Sequence, residues 1–403
     1  MIHIVLSKTF FNFIANMRYA FVLMFLLSVG VRAQALRDVN YNFLYDPTEP
    51  FTLSINVVRT ASGWTAFYDI TSRDSAQQLD QYHLAWDTRP SLDEKQGTAV
   101  DPSTIKKVNT SSKLAGEITI PSSATPVILA LKVLNNGVKR AWMFYRILEP
   151  KYPVNGYLTT SGEVIGSNYI KTNTQVTLAG EGDTKVISYY NDDFPAAVPA
   201  FSEGMAKVAR SMNVDSTFNL SVNQEISFSQ PGLYLVQKDT TSAEGFAFRV
   251  QDDYPRFAKV QSLADPLIYI CTKQEFEKVK AAKGDKKAFD RVILQITGNT
   301  ERAKNFMRNY FKRVEWANEF FTSYKEGWKT DRGMIYILFG LPEEVYKFSD
   351  REVWNYKSSS LKATFNFVKS STLFDPDNYV LIREKKFQET WYEKVDLWRN
   401  ARF

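Results

Sequence analysis

The stretch Gly327-Trp328-Lys329-Thr330-Asp331-Arg332-Gly333-Met334-Ile335-Tyr336-Ile337-Leu338-Phe339-Gly340-Leu341, followed by Pro342-Glu343-Glu344, decides how the last third of the chain is read. Gly327 and Gly333 bracket five residues. Glycine permits positive φ and close backbone approach, so both fit a tight reversal. Met334 to Phe339 reads as a short apolar strand leaving it. Trp328 has a large face to bury and an indole N–H that needs an acceptor. Thr330 and Asp331 can bond nearby backbone amides, as ST- and Asx-turns do, and Arg332 can reach Asp331 or a carboxylate such as Glu343. The stretch therefore predicts a locked helix-to-strand turn. It also supplies candidate binding residues: Trp328, Thr330, Asp331, Arg332 and Glu343, with Trp354 and Tyr356 further on. No catalytic residue is assigned, because Asp331 or Glu343 as acid or base needs a second group that no spacing places.

Upstream, Thr272-Lys273-Gln274-Glu275 is a capping box. Phe289, Val292, Ile293 and Ile296 then recur at i, i+3, i+4, i+7. A further helix starts near Asn299 or Thr300 with Met307, Tyr310, Phe311, Val314, Ala317 and Phe321 as its apolar stripe. Downstream come short strands at 345–348, 352–356, 364–368 and 379–383, and a last helix with Phe387, Trp391, Val395 and Trp398 on one side. Residues 256–403 are thus an α+β domain: helices plus a small antiparallel sheet.

These residues resemble the GWxTD domain, named for the stretch that here reads Gly327, Trp328, Lys329, Thr330, Asp331. The resemblance covers roughly residues 258–403 and extends to Gly340-x-Pro342 and Trp354-x-Tyr356. It implies an exported protein of diderm bacteria with β-sandwich domains before the GWxTD domain, and it implies no established activity. The Gly-x-Pro turn before a Trp-x-Tyr strand is also similar to small lipoproteins of the outer-membrane β-barrel assembly machinery, a hint toward a small sheet packed on helices only.

Residues 36–148 read as all-β. Trp64, Ala66, Tyr68 and Ile70 alternate with Thr65, Phe67 and Asp69, the period of a strand buried on one face. Val127–Val133 and Val138–Ile147 flank Asn135-Asn136-Gly137, a hairpin with an Asn-Gly turn. Glu149-Pro150-Lys151-Tyr152-Pro153 breaks the pattern and reads as a linker. Residues 152–252 repeat the all-β style, with a long loop from Asp193 to Ser216 that carries a short helical piece near Ala206–Met212 and lies over the sandwich end. The expected architecture is two all-β immunoglobulin-like sandwiches followed by the α+β domain.

At the N-terminus, Arg18 precedes thirteen mostly apolar residues, Tyr19 to Val31, and Ala33-Gln34-Ala35 follows. This is the layout of a signal peptide over residues 1–33, and the run is short of the ~20 residues of a membrane span. The alternative is an uncleaved signal anchor. No cysteine lies near the cleavage site, which excludes lipidation there. The expected address is the periplasm or outer membrane, or secretion, with no transmembrane segment in the mature chain. Removing Lys8, Arg18 and Arg32 lowers the formal charge of the 403-residue chain from +6 to +3. The remainder divides into a faintly acidic β portion and a basic C-terminal domain with interspersed signs, which does not suit nucleic acid.

Chemistry is constrained by scarcity. The sequence has two histidines, His3 and His83, and one cysteine, Cys271. This leaves no disulfide framework, no thiolate-rich zinc site and little basis for a histidine-based triad. Asp375-Pro376-Asp377-Asn378 reads as a turn or a weak calcium site. No cofactor and no metal are expected. The expected function is non-enzymatic, with the C-terminal domain docking an envelope protein and the sandwiches acting as spacer or adhesive modules. The competing expectation is a polysaccharide-binding or glycan-processing protein that uses carboxylates and exposed aromatics.

Overall fold

A computed structural model describes residues 34–403 apart from 75–78, 111, 123–127, 149–150, 192, 205–207, 209, 283 and 359–361. The signal-peptide reading and part of the proposed linker fall outside the described residues. Among the described residues, no helix is long and apolar enough to cross a membrane.

The first sandwich is built from β1 (Phe51–Thr60), β2 (Gly63–Ser72), β3 (Tyr82–Arg89), β4 (Thr98–Ala99), β5 (Ile105–Asn109), β6 (Lys113–Pro121), β7 (Ile128–Asn135) and β8 (Arg140–Ile147). Its sheets run β1-β2-β6-β5 and β4-β3-β7-β8, the immunoglobulin ABED and CFG order with one short strand added. Trp64, Ala66, Tyr68 and Ile70 point inward, as their period requires, and pack with Trp86 and Trp142. The β7–β8 hairpin turns at Asn136-Gly137 as expected, with β7 ending and β8 starting later in the chain than the sequence reading placed them. Asn135 pairs with Arg140, and the four-residue loop is held by Asn135 Oδ1 accepting from the N–H groups of Gly137 (2.9 Å) and Val138 (3.2 Å).

The second sandwich holds β9 (Gly156–Thr160), β10 (Glu163–Val164), β11 (Tyr169–Ile170), β12 (Gln175–Gly180), β13 (Thr184–Tyr190), β14 (Ser216–Ser221), β15 (Glu225–Ser227), β16 (Gly232–Gln237) and β17 (Gly245–Val250). They form sheets β10-β9-β12-β15 and β11-β17-β16-β13-β14 around a core of their own. The short helical piece expected near Ala206–Met212 lies partly outside the described residues; the described residues of the β13–β14 loop form no helix. Rather than capping the sandwich, the loop runs along the C-terminal domain, because Phe194, Ala197 and Ala200 bury their apolar surface there. Ala197 N donates to Lys329 O (3.0 Å), and Glu384 N donates to Ala200 O (3.1 Å).

The C-terminal region comprises α1 (Val260–Ala264), α2 (Lys273–Ala281), α3 (Lys286–Thr297), α4 (Thr300–Phe321), α5 (Asp331–Phe339), the antiparallel sheet β18 (Glu344–Lys347), β19 (Arg351–Tyr356), β20 (Ala363–Lys369) and β21 (Tyr379–Leu381), and α6 (Gln388–Arg399). The capping box at Thr272 and Glu275 forms as expected. The stretch after Asp331 corrects the sequence reading, being a helix and not a strand. Thr330 caps it, its hydroxyl accepting from Gly333 N (3.0 Å) and its carbonyl from Met334 N (2.9 Å). Every residue from Met334 to Phe339 is buried. A helix buried on all sides shows no amphipathic period, so its six apolar residues look like a strand.

One apolar core joins α2 to α6 and the sheet to residues far away in sequence, including Val39, Tyr41 and Tyr45. These belong to a strap, residues 35–45, that reaches the α+β domain before the first sandwich begins. Tyr41 N donates to Val345 O (2.8 Å), Val345 N to Asn40 Oδ1 (2.9 Å), and Tyr336 Oη to Tyr45 O (2.8 Å). The sandwiches also abut: Arg59 N donates to Val154 O (2.7 Å), and the rings of Phe67 and Tyr157 lie 4.6 Å apart.

Candidate functional site

Gly327–Lys329 forms one 3-10 turn wedged between α4 and α5. Neither Gly327 nor Gly333 has positive φ; both are required by close approach. A Cβ on Gly327 would lie 2.0 Å from Ala317 O, and one on Gly333 would lie 1.9 Å from Gly327 O. Asn318, fully buried in the last turn of α4, clamps the 3-10 turn. Its Oδ1 accepts from Trp328 N (3.0 Å), and its Nδ2 donates to Pro255 O (2.8 Å). Trp328 itself is interior, and its carbonyl accepts from Tyr269 Oη (2.8 Å).

Asp331 is buried and faces Arg383, whose side chain is 1% exposed; Leu381 N donates to Asp331 Oδ2 (2.7 Å). One carboxylate therefore joins the start of α5 to β21. Arg332 does not turn to Asp331 or Glu343. It reaches across to Glu352 (3.5 Å) and stacks over the Tyr379 ring (4.5 Å), because Arg383 already neutralises Asp331. Glu352 has no exposed surface. It accepts from Tyr45 Oη (2.7 Å) and from Trp354 Nε1 (2.6 Å). Burial, then the Glu352 charge, pushes the Tyr45 phenol far above its ordinary pKa, so it remains a donor. Tyr356 donates its hydroxyl to Gly340 O (2.8 Å).

The candidate residues thus separate into three groups. Trp328, Trp354 and Tyr356 are interior. Asp331 and Arg332 are spent on two buried ion pairs. Glu343 stays exposed at the surface, where its carbonyl accepts from the side chains of Asn40 and Asn42. Thr330 and Asp331 also form part of the wall of a cavity of about 310 Å³ that lies against Phe194–Val198. Trp391 and Trp398 are buried too, leaving Tyr392 and Phe403 as the large exposed aromatics of the C-terminal region.

Sequence reasoning missed Asn318, Glu352, Arg383 and Tyr45. Two of them left a signal: Asn318 stands in phase with Val314, Ala317 and Phe321, and Glu352 in phase with Trp354. A polar residue on a buried stripe needs a buried partner. His83 sits exposed on β3. Burial pushes the Cys271 thiol up to about 12, which suits a packing role. Asp375 Oδ1 accepts from Asp377 N (2.9 Å), an Asx-turn.

Residues 232–400 match the GWxTD domain. The matched span opens at the first residue of β16, so the domain takes in two strands of the second sandwich. Those strands make the junction. Arg249 on β17 donates to Tyr324 O (2.9 Å) and pairs with Glu326, while Leu233 and Leu235 on β16 pack with Tyr324 and Phe374. No curated protein matches the chain. Among solved structures, it is similar to the titin domains Z1Z2 in complex with telethonin (14% identity, 50% of this chain and 92% of that one, TM-score 0.18). It is also similar to an I-band fragment of titin (12% identity, 51% and 66%, TM-score 0.18). The immunoglobulin assignment rests on the strand order itself.

Proposed function

We propose that this is a non-enzymatic, exported envelope protein whose GWxTD domain docks a protein partner and whose sandwiches hold that domain in place as a rigid platform. The observation that carries the reading is the fate of the motif's Asp331 and Arg332 and of the groups that meet them. Asp331 and Glu352 are enclosed and matched by Arg383 and Arg332, which uses for cohesion the groups a catalytic site would offer to substrate. The export part rests on the N-terminal sequence pattern alone. The test uses the full chain in the cell that makes it. Fractionation is paired with N-terminal sequencing, and a photo-crosslinker is placed at Tyr392, 55% exposed on α6. The expected result is an envelope-fraction protein that begins near Gln34 and crosslinks to one discrete partner. A chain retained in the cytoplasm with its N-terminus intact overturns the address. A turnover lost in a folded Asp331→Asn variant overturns the non-enzymatic role.

A further inference from the structure

The cavity beside the motif has an unusual wall. One side is the segment Phe194–Val198, which belongs to no helix or strand; the other is the outer edge of β21. At one end the two are tied, Arg383 Nη2 donating to Val198 O (3.2 Å) and Glu384 N to Ala200 O. At the other end they part, and the space between them is about 310 Å³, the low end of the range for ligand pockets.

Register shows what the edge offers. In the β20–β21 pair, Ser370 N donates to Asn378 O and Ile382 N to Asn366 O, so Tyr379 and Leu381 stand at the alternate, outward-facing positions. Leu381 N confirms this by meeting Asp331. The outward N–H and C=O of Tyr379 meet no described residue, and they lie at the cavity wall. An edge strand with free main-chain groups is a template for one more extended segment.

The charge is equally specific. Lys325 lines the cavity, and its Nζ makes a long hydrogen bond to Pro195 O (3.4 Å) and lies 6.0 Å from the centre of the Tyr324 ring. Among the described residues, no carboxylate lies within ion-pair distance of the ammonium. Asp331, the acid on the same wall, is already bound by Arg383 and Leu381 N.

We propose that this cavity receives the free C-terminal tail of a partner protein: two or three residues in extended form, pairing with the Tyr379 edge, with an apolar last side chain and the terminal carboxylate at Lys325. It deepens the docking reading by naming the partner's chemistry. About 310 Å³ holds a tail of that length and no globular element. The apolar wall of Phe194, Ala197 and Val198 suits the last side chain. Burial lowers the Lys325 pKa to about 8; Asp331 and Glu326 oppose that shift, and Arg383 and Lys329 add to it. A carboxylate that binds the ammonium should therefore hold less well as pH rises through and above about 8.

The test is calorimetric titration of the full chain with acetyl-Gly-Ala-Phe as the free acid, as the carboxamide, and with hexanoate. A ligand of this size is expected at a Kd of about 0.1–1 mM. The carboxamide and hexanoate should each bind at least tenfold more weakly. Lys325→Gln should abolish the preference for acid over amide. Ala196→Leu should fill the space and remove binding with Lys325 intact. Lys278→Gln, on α2, should change nothing, and thermal melts check that each variant folds. No binding of the free acid, or equal binding of the amide, overturns the proposal while leaving partner docking to be judged by its own crosslink. Equal binding of hexanoate overturns the peptide assignment.

Discussion

At the scale of single residues, the motif is a set of fits with no slack. Gly333→Ala puts a methyl group against Gly327 O, a backbone atom that cannot yield without moving the 3-10 turn. Gly333→Ala and Gly327→Ala should each cost about 3 kcal/mol, read by urea denaturation of the full chain. The Asp331–Arg383 pair behaves differently. Removing one partner strands a buried charge, so Asp331→Asn and Arg383→Met should each cost about 3 kcal/mol. The double variant should cost far less than the two together, since neither charge is then left alone. A double variant that simply adds would show that the two side chains are held by other contacts. Sequence placed Trp328, Thr330 and Asp331 in a tight structural feature. It misjudged Arg332, because the distant Arg383 that satisfies Asp331 leaves no local mark.

At the scale of elements, what was legible depended on how an element is buried. α4 and α6 expose one face, so their period could be read, and the same holds for β2. α5 is enclosed on every side, and its period is lost. The capping box of α2 was legible from four residues, but its second duty was not. Arg399, in the last turn of α6, donates from Nη1 to Glu275 Oε2 and from Nη2 to Glu275 Oε1 (2.8 Å each). This fork fastens the last helix to the first turn of α2 and holds the Glu275 carboxyl at about 2, below its ordinary 4.5. The folded value is depressed, so the stabilisation is present above the ordinary value and lost as pH falls toward 2. Arg399→Met should return the Glu275 pKa, followed by NMR titration, toward 4.5. It should cost about 1 kcal/mol near neutral pH and almost nothing at pH 2.

At the scale of the whole molecule, the two sandwiches and the α+β domain were legible as segments, while their mutual packing was not. Linker and loop composition cannot show that residues 35–45 seal the far domain, or that β16 and β17 serve two cores. The junction also carries a pH signature. Asp375, buried where the sheet meets the second sandwich, has its carboxyl raised to about 7, first by burial and then by the Asp377 charge. A raised folded-state value for an acid means the native chain holds a proton that the unfolded chain gives up. Stability is therefore full below the ordinary 3.8 and falls as pH climbs from there through about 7. Asp375→Asn keeps the Oδ1 acceptor for Asp377 N and removes the charge, so its melting temperature should exceed the parent's at pH 8 and match it near pH 4. Equal gains at both pH values would assign the effect to packing. The strap has a mechanical consequence. Asn40 and Tyr41 bond directly to residues 343 and 345, so tension applied between residue 34 and residue 403 passes from the strap into the last sheet without traversing either sandwich. Until that clasp slips, some three hundred residues of chain hang as an unloaded loop. The first force peak in a pulling experiment should report the clasp, and the extension released behind it should report the sandwiches.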